Sequence, residues 1–200
     1  MKSLQNQTTT PEPDRPAIRQ DAILDAAFMA FSSYGYRRTT MDDIAQGVGI
    51  SRSALYLHFR NKEDILRSMS KRFFDEAATG VAAELAVPDR PAAETLAAAF
   101  IAYDGKFMDA FLSTPHGAEI LEAGHLVSAD LVAAGEARIR QLLAGWLAAV
   151  PLPAALGSAD ALAATILASL KGLKHSAKSS EGYRASQAQL AQMLALALGR

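Results

Sequence analysis

The sequence predicts an all-α protein. It has an N-terminal three-helix bundle with a helix-turn-helix, a larger helical C-terminal domain, and about nine helices in all. Three observations predict this. Apolar residues recur at spacings of three and four, alanine dominates, and no stretch alternates with period two. Helix-starting and helix-stopping residues follow one another closely over 35–62. Within 41–60, small, glycine and apolar residues fall at the offsets of two helices crossing at a tight turn.

Residues 1–17 are polar and carry Pro11, Pro13 and Pro16, the pattern of a disordered arm. A first helix is expected over 18–34. Ile23, Leu24, Ala27, Ala30 and Phe31 form its apolar face, and Gly35 stops it. Thr40 precedes MDDIAQGV as an N-cap, with Asp42 and Asp43 in the first turn. Gly47 and Gly49 keep that helix short. Ser51 caps a helix over 51–58, and Asn61, with Asp64, caps a long one over 62–86. VPDRP at 87–91 breaks the chain. Further helices are expected over 92–113, 116–125, 128–149, 159–178 and 183–198. Thr114-Pro115, Gly124, Pro151 with Pro153, and 179–182 mark the breaks between them. The domains are then 1–17, 18–62 and 63–200.

Half of the 200 residues are hydrophobic and 20% are charged, enough apolar material for a core. The absence of cysteine excludes disulfides, zinc–thiolate sites, iron–sulfur clusters and thiolate nucleophiles. The longest uncharged stretches carry prolines, as in 146–156, or are too short to span a bilayer, as in 161–170. The N-terminus lacks a secretory apolar region, so no membrane association and a cytoplasmic location are expected. The formal net charge of −1 hides an asymmetry. Residues 37–72 hold 8 Lys and Arg against 4 Asp and Glu, a basic segment on an acidic body. That split suits one region meeting a polyanion, and equally an ordinary solvated surface.

The segment MDDIAQGVGISRSALYLHFR at 41–60 carries the functional signal. Ala45 is small where two helices cross, and Gly49 permits the positive φ of a tight turn. Ile44, Val48, Ile50 and Leu55 fill the wedge between the helices, while Arg52, Ser53 and Ala54 project outward. A plain αα-corner would pack in the same way. The following LYLHF at 55–59, then Arg60, Asn61, Lys62, Glu63, Ile65 and Leu66, together with AFMAFSSYGYRRTTMDDIA at 27–45, resembles the TetR family of bacterial transcriptional regulators. The resemblance covers about residues 20–70. Val48 stands where the family usually has alanine, and Ser53 where glycine is common.

The resemblance implies a dimer with two recognition helices in successive major grooves of double-stranded operator DNA, an inverted repeat. It implies phosphate contacts from Thr40, Tyr56, His58 and Lys62. Base reading falls to Arg52 and Ser53, with Ala54 and Leu57 against thymine methyl groups. For Arg52 a phosphate contact remains the alternative, and for Lys62 a solvated surface position. A repressor released by a small, mostly apolar effector is the implied function, with no enzymatic activity and no cofactor.

In the C-terminal region, Phe100, Tyr103, Phe107, Phe111, His116, His125 and Trp146 are candidates for the effector pocket, each also suited to plain core filling. Glu122 and His125 form one E-x-x-H. A bundle metal centre needs two, so no metal is expected, and a helical-bundle metal enzyme using His116, Glu119, Glu122 and His125 is the alternative reading. Small residues Ala161, Ala164, Thr165, Ala168, Ser169 and Gly172 at helical spacing, with the Leu/Met stripe of 183–198, suit a four-helix homodimer interface through about 159–178 and 183–198.

Overall fold

The computed structural model describes residues 15–105 and 108–199. The expected arm at 1–17 lies largely outside the described residues, and α1 already begins at Arg15. Its helices are α1 (Arg15–Tyr34), α2 (Met41–Val48), α3 (Arg52–Tyr56), α4 (Lys62–Leu85), α5 (Ala92–Asp104), α6 (Met108–Ser113), α7 (Gly117–Val127), α8 (Ala129–Ala148), α9 (Ala159–Ser176) and α10 (Ser180–Ala197). A short 3-10 turn at Ala154–Leu156 precedes α9. Among the described residues there is no strand, and no helix is long and apolar enough to cross a membrane.

Among the described residues there are ten α-helices where nine were expected, because the helix foreseen over 92–113 is two. Gly105 stops α5 with φ 62° and ψ −173°, a conformation essentially restricted to glycine that cannot continue a helix. Helix α3 is shorter than foreseen and ends at Tyr56, with Leu57 as its C-cap. Helix α10 starts earlier than 183, because the Ser179 side chain caps it by accepting from the Gly182 N–H.

Two cores form. Ile23, Ala27, Phe31, Ile44, Ala45, Leu55, Phe59, Ile65 and Leu66 fill the N-terminal one, joined by Ile120 and Ala123 of α7. Val81, Leu96, Phe100, Tyr103, Ile139, Leu143, Leu147, Ile166 and Leu170 belong to the second, where α4, α5, α8, α9 and α10 pack. Helix α4 belongs to both cores, and so links the two regions as one stiff rod. The α6–α7 corner is closely packed. A Cβ at Gly117 would stand 1.7 Å from the Phe111 carbonyl oxygen, so only glycine fits.

Candidate functional site

The α2–α3 unit is held by its own caps. Thr40 Oγ1 accepts from the Asp43 N–H at 3.2 Å, and the Thr40 N–H donates to Asp43 Oδ2 at 2.8 Å, completing a capping box. The Thr40 hydroxyl, which donates to Asp43 Oδ2 at 2.7 Å, and with it the Thr40 N–H hold the Asp43 carboxyl below its usual range. Helix α2 ends at Gly49, whose φ of 77° places it in the left-handed region. The Ile50 N–H then reaches back to Ala45 O at 3.0 Å, which closes the turn. Ser51 caps α3 by accepting from the Ala54 N–H at 3.1 Å. Ile44 and Leu55 are fully buried in the wedge and Ala45 nearly so.

What remains outside is a small polar and apolar surface. Arg52, Ser53, Tyr56 and Leu57 are exposed, Leu57 at 86%, while Ala54 and His58 are half-buried. Arg52 Nη1 donates to Asp42 Oδ2 at 2.9 Å and Nη2 to the Tyr56 hydroxyl at 3.3 Å, with the guanidinium 5.5 Å from the Tyr56 ring centroid. Ser53 Oγ lies 2.9 Å from Ser51 Oγ. Thr40 and this α3 surface belong to the same unit, so seven of the eight expected contact residues come together around α2 and α3.

Lys62 stands apart. Its ammonium donates to the carbonyls of Tyr36 at 2.9 Å, Arg37 at 2.9 Å and Thr39 at 3.2 Å, and lies 4.8 Å from the Tyr36 ring centroid. Neither a free surface lysine nor an uncommitted phosphate donor describes it. All three of its protons are used to tie the 36–39 loop to the start of α4.

A cavity of about 840 Å³ opens between α1 and α4–α9. Tyr103, Phe111 and His125 line it, as the sequence suggested. Phe100, His116 and Trp146 do not. Phe100 is buried in the second core, Trp146 packs against that core, and His116 Nδ1 turns to Glu119 Oε2 at 3.4 Å. Phe107 lies outside the described residues.

Sequence reasoning missed Phe28, Phe73 and Phe74, which come from helices α1 and α4. Phe28 meets Phe111 edge-on with ring centroids 5.4 Å apart. Reasoning also missed a charged end. Lys171 pairs with Glu136 at 2.9 Å, and Lys174 with the buried Asp104 at 2.9 Å. Asp104 also accepts from the Tyr183 hydroxyl at 3.2 Å and from Gln187. Desolvation beside that carboxylate raises the Tyr183 hydroxyl pKa. A basic cluster in the last turn of α9 was the available signal. His125 Nδ1 lies 2.8 Å from Leu121 O of its own helix, and among the described residues no three His, Asp or Glu side chains converge as a metal site would require.

The α2–α3 geometry is that of a helix-turn-helix domain carried by a larger helical body. Residues 23–69 match the family described as bacterial regulatory proteins, tetR family. Over 56 residues it is 43% identical to the biofilm operon icaADBC HTH-type negative transcriptional regulator IcaR of Staphylococcus epidermidis, a match covering 28% of this chain and 30% of IcaR. The chain therefore matches less than a third of the length of that curated relative. The whole fold is similar to the fatty acid degradation regulator FadR of Bacillus halodurans, with a TM-score of 0.66 and 16% identity over 94% of this chain and 97% of that one. It is also similar to SmeT, the repressor of the Stenotrophomonas maltophilia multidrug efflux pump SmeDEF, with a TM-score of 0.61 and 21% identity over 89% and 88%.

Proposed function

We propose that this chain is a homodimeric transcriptional repressor of the cytoplasm that binds an inverted-repeat operator and leaves it when a small, mostly apolar molecule fills the cavity. The exposed surface of Arg52, Ser53, Tyr56 and Leu57 on a capped, wedge-packed α3 carries the reading. A recognition helix needs a rigid back and an adaptable polar front, and α3 has both. Arg52 reads a base edge, Ser53 and Ala54 approach the groove, and Leu57 meets a thymine methyl group. Tyr56, His58 and the α2 N-terminus behind Thr40 contact phosphates. Lys62 holds the loop that sets α2 in place.

The apolar faces of α9 and α10 support the dimer. Ala161, Thr165, Ala168 and Gly172 form an exposed stripe on α9, and Met193 and Leu196 are 60% and 68% exposed on α10. Such a surface is expected to be covered by a second copy, which would set the two recognition helices about 34 Å apart. The effector reading is supported by a cavity of drug-like size with predominantly apolar walls. SmeT, of the same fold, has been solved with triclosan. A polar group on the ligand would fit the Lys171, Glu136 and Lys174 end.

The test is fluorescence anisotropy on the inverted repeat upstream of the chain's own gene. Arg52→Ala is expected to cost about 1–3 kcal/mol at one base position and to leave random DNA almost unchanged. Equal losses on both DNAs would make Arg52 a phosphate contact instead. No binding of any duplex by the wild-type chain would overturn the function.

A further inference from the structure

Helix α7 serves both the N-terminal core and the cavity. Ile120 and Ala123 are buried in the N-terminal core with Leu55 and Ile65. Ala118, Leu121, Gly124 and His125 line the cavity, and Ile120 borders both. The wall between the cavity and the helix-turn-helix core is therefore at most one helix thick.

Glu119 lies in the first turn of this helix, where the helix dipole favours its charge. Its Oε1 accepts from the Arg37 backbone N–H at 2.8 Å, across 82 residues of sequence. Its Oε2 faces Gly35 so closely that a Cβ there would stand 2.6 Å away. Gly35 thus ends α1 with φ 84° and also leaves room for a carboxylate from the other region.

The loop that Glu119 grips is the one that positions α2. Thr39 donates from its N–H to Gly35 O at 3.1 Å and from Oγ1 to the same oxygen at 2.7 Å. The next residue, Thr40, caps α2. On the cavity side the path is equally short. The Phe111 ring lines the cavity, its carbonyl packs directly on Gly117, and Glu119 follows two residues on. A displacement of the Phe111 wall cannot be absorbed at Gly117, because no free space remains there.

We propose that Glu119 is the positioning residue that transmits the state of the cavity to the helix-turn-helix, through its carboxylate bond to the Arg37 amide. The proposal rests on the ligand-responsive reading for its biological meaning, but its test needs neither DNA nor effector, so the two fail separately. Amide hydrogen exchange at Arg37 is measured by NMR on the full chain, as wild type, Glu119→Gln and Glu119→Ala. Each is studied with and without Val132→Trp, which pushes an indole into the cavity from α8.

Glu119→Ala is expected to speed exchange at Arg37 roughly tenfold, as loss of a charge-assisted bond should. Glu119→Gln keeps an acceptor and is expected to stay within about threefold of wild type. The indole is expected to change the Arg37 rate about threefold or more in the wild type and in Glu119→Gln, and to leave it unchanged in Glu119→Ala. If the tryptophan unfolds the chain, Val132→Phe replaces it in the same cycle. An Arg37 rate that ignores the cavity substitution, or that responds to it equally without the carboxylate, overturns the proposal.

Discussion

Residues 40–66 take their shape from neighbours a few positions away, whereas the cavity takes its walls from seven helices between Phe28 and Ala177. In the first region the caps and the turn have local causes. Thr40, Ser51 and Asn61 cap three successive helices within 22 residues, and Gly49 turns the chain between two of them. In the second region the decisive contacts join residues far apart in sequence, as in Phe28 with Phe111 or Lys174 with Asp104. Regions of the first kind are rigid by construction. Regions of the second kind keep interior space at the cost of packing.

The largest expected effect tests the rigidity of the first region. Leu55 is fully buried between α1, α2 and α4. Leu55→Ala is expected to lose about 2–5 kcal/mol in chemical denaturation, because the wedge has no space into which it can collapse. A loss below about 1 kcal/mol would mean that the wedge is plastic and the recognition surface loosely held.

This contrast also explains what the sequence revealed. Caps, glycine breaks and the apolar wedge are local patterns, so the helix-turn-helix was legible residue by residue. The break at Gly105 was not, because a glycine inside an apolar helical pattern is often tolerated, and only its φ of 62° decides the matter. The cavity was half legible. Tyr103, Phe111 and His125 line it, while Phe100 and Trp146 resemble them in type and serve the core. Residue type cannot separate a ring facing space from a ring facing another ring. Phe28 was hidden for a further reason: it belongs to α1, and reading 18–62 as a separate domain kept it from the pocket. Lys62 is the opposite case, a motif position whose three carbonyl partners, 23 to 26 residues away, no local pattern shows.

Lys62 yields the next effect in size. Lys62→Met keeps the aliphatic stem and removes three charge-assisted bonds to the 36–39 loop. About 2 kcal/mol of stability is expected to go, with a faster exchange of amides in that loop. If the lysine served DNA phosphates alone, denaturation would be unchanged and the salt dependence of DNA binding would fall by about one unit.

Phe111 probes the boundary, for it lines the cavity and also packs against the N-terminal core. It is half-buried, faces the cavity and meets Phe28 edge-on at 89° between ring planes. Phe111→Leu is expected to cost only about 1 kcal/mol, the worth of an aromatic pair, because the ring already borders empty space. A cost as large as that of Leu55→Ala would show that the cavity wall is packed like a core, and would erase the distinction between the two regions.

The smallest effect concerns the strap between the regions. Arg67 of α4 holds Asp130 of α8 through two bonds, Nη1 to Oδ1 at 2.8 Å and Nη2 to Oδ2 at 2.7 Å, and also donates to Val127 O at 2.8 Å. The Arg67 hydrogen bonds pull the Asp130 carboxyl from its usual 3.8 down to about 2. A carboxyl with a depressed pKa in the folded state contributes stability that is fully present above its unfolded pKa and disappears as pH falls through the folded value. The window here is therefore from about pH 4 down to about 2. Both side chains are well exposed, at 39% and 65%, so solvent and salt weaken the pair and the gain is small. Asp130→Asn should lower the melting temperature slightly at pH 6. The difference from wild type should shrink between pH 4 and pH 2, and should shrink also when salt is raised at pH 6. Arg67 keeps its bond to the Val127 carbonyl in that variant, so α4 stays fastened to the α7–α8 corner and the change reports the carboxylate alone. A melting difference that persists unchanged at pH 2 would show that the negative charge of Asp130 is not what it contributes.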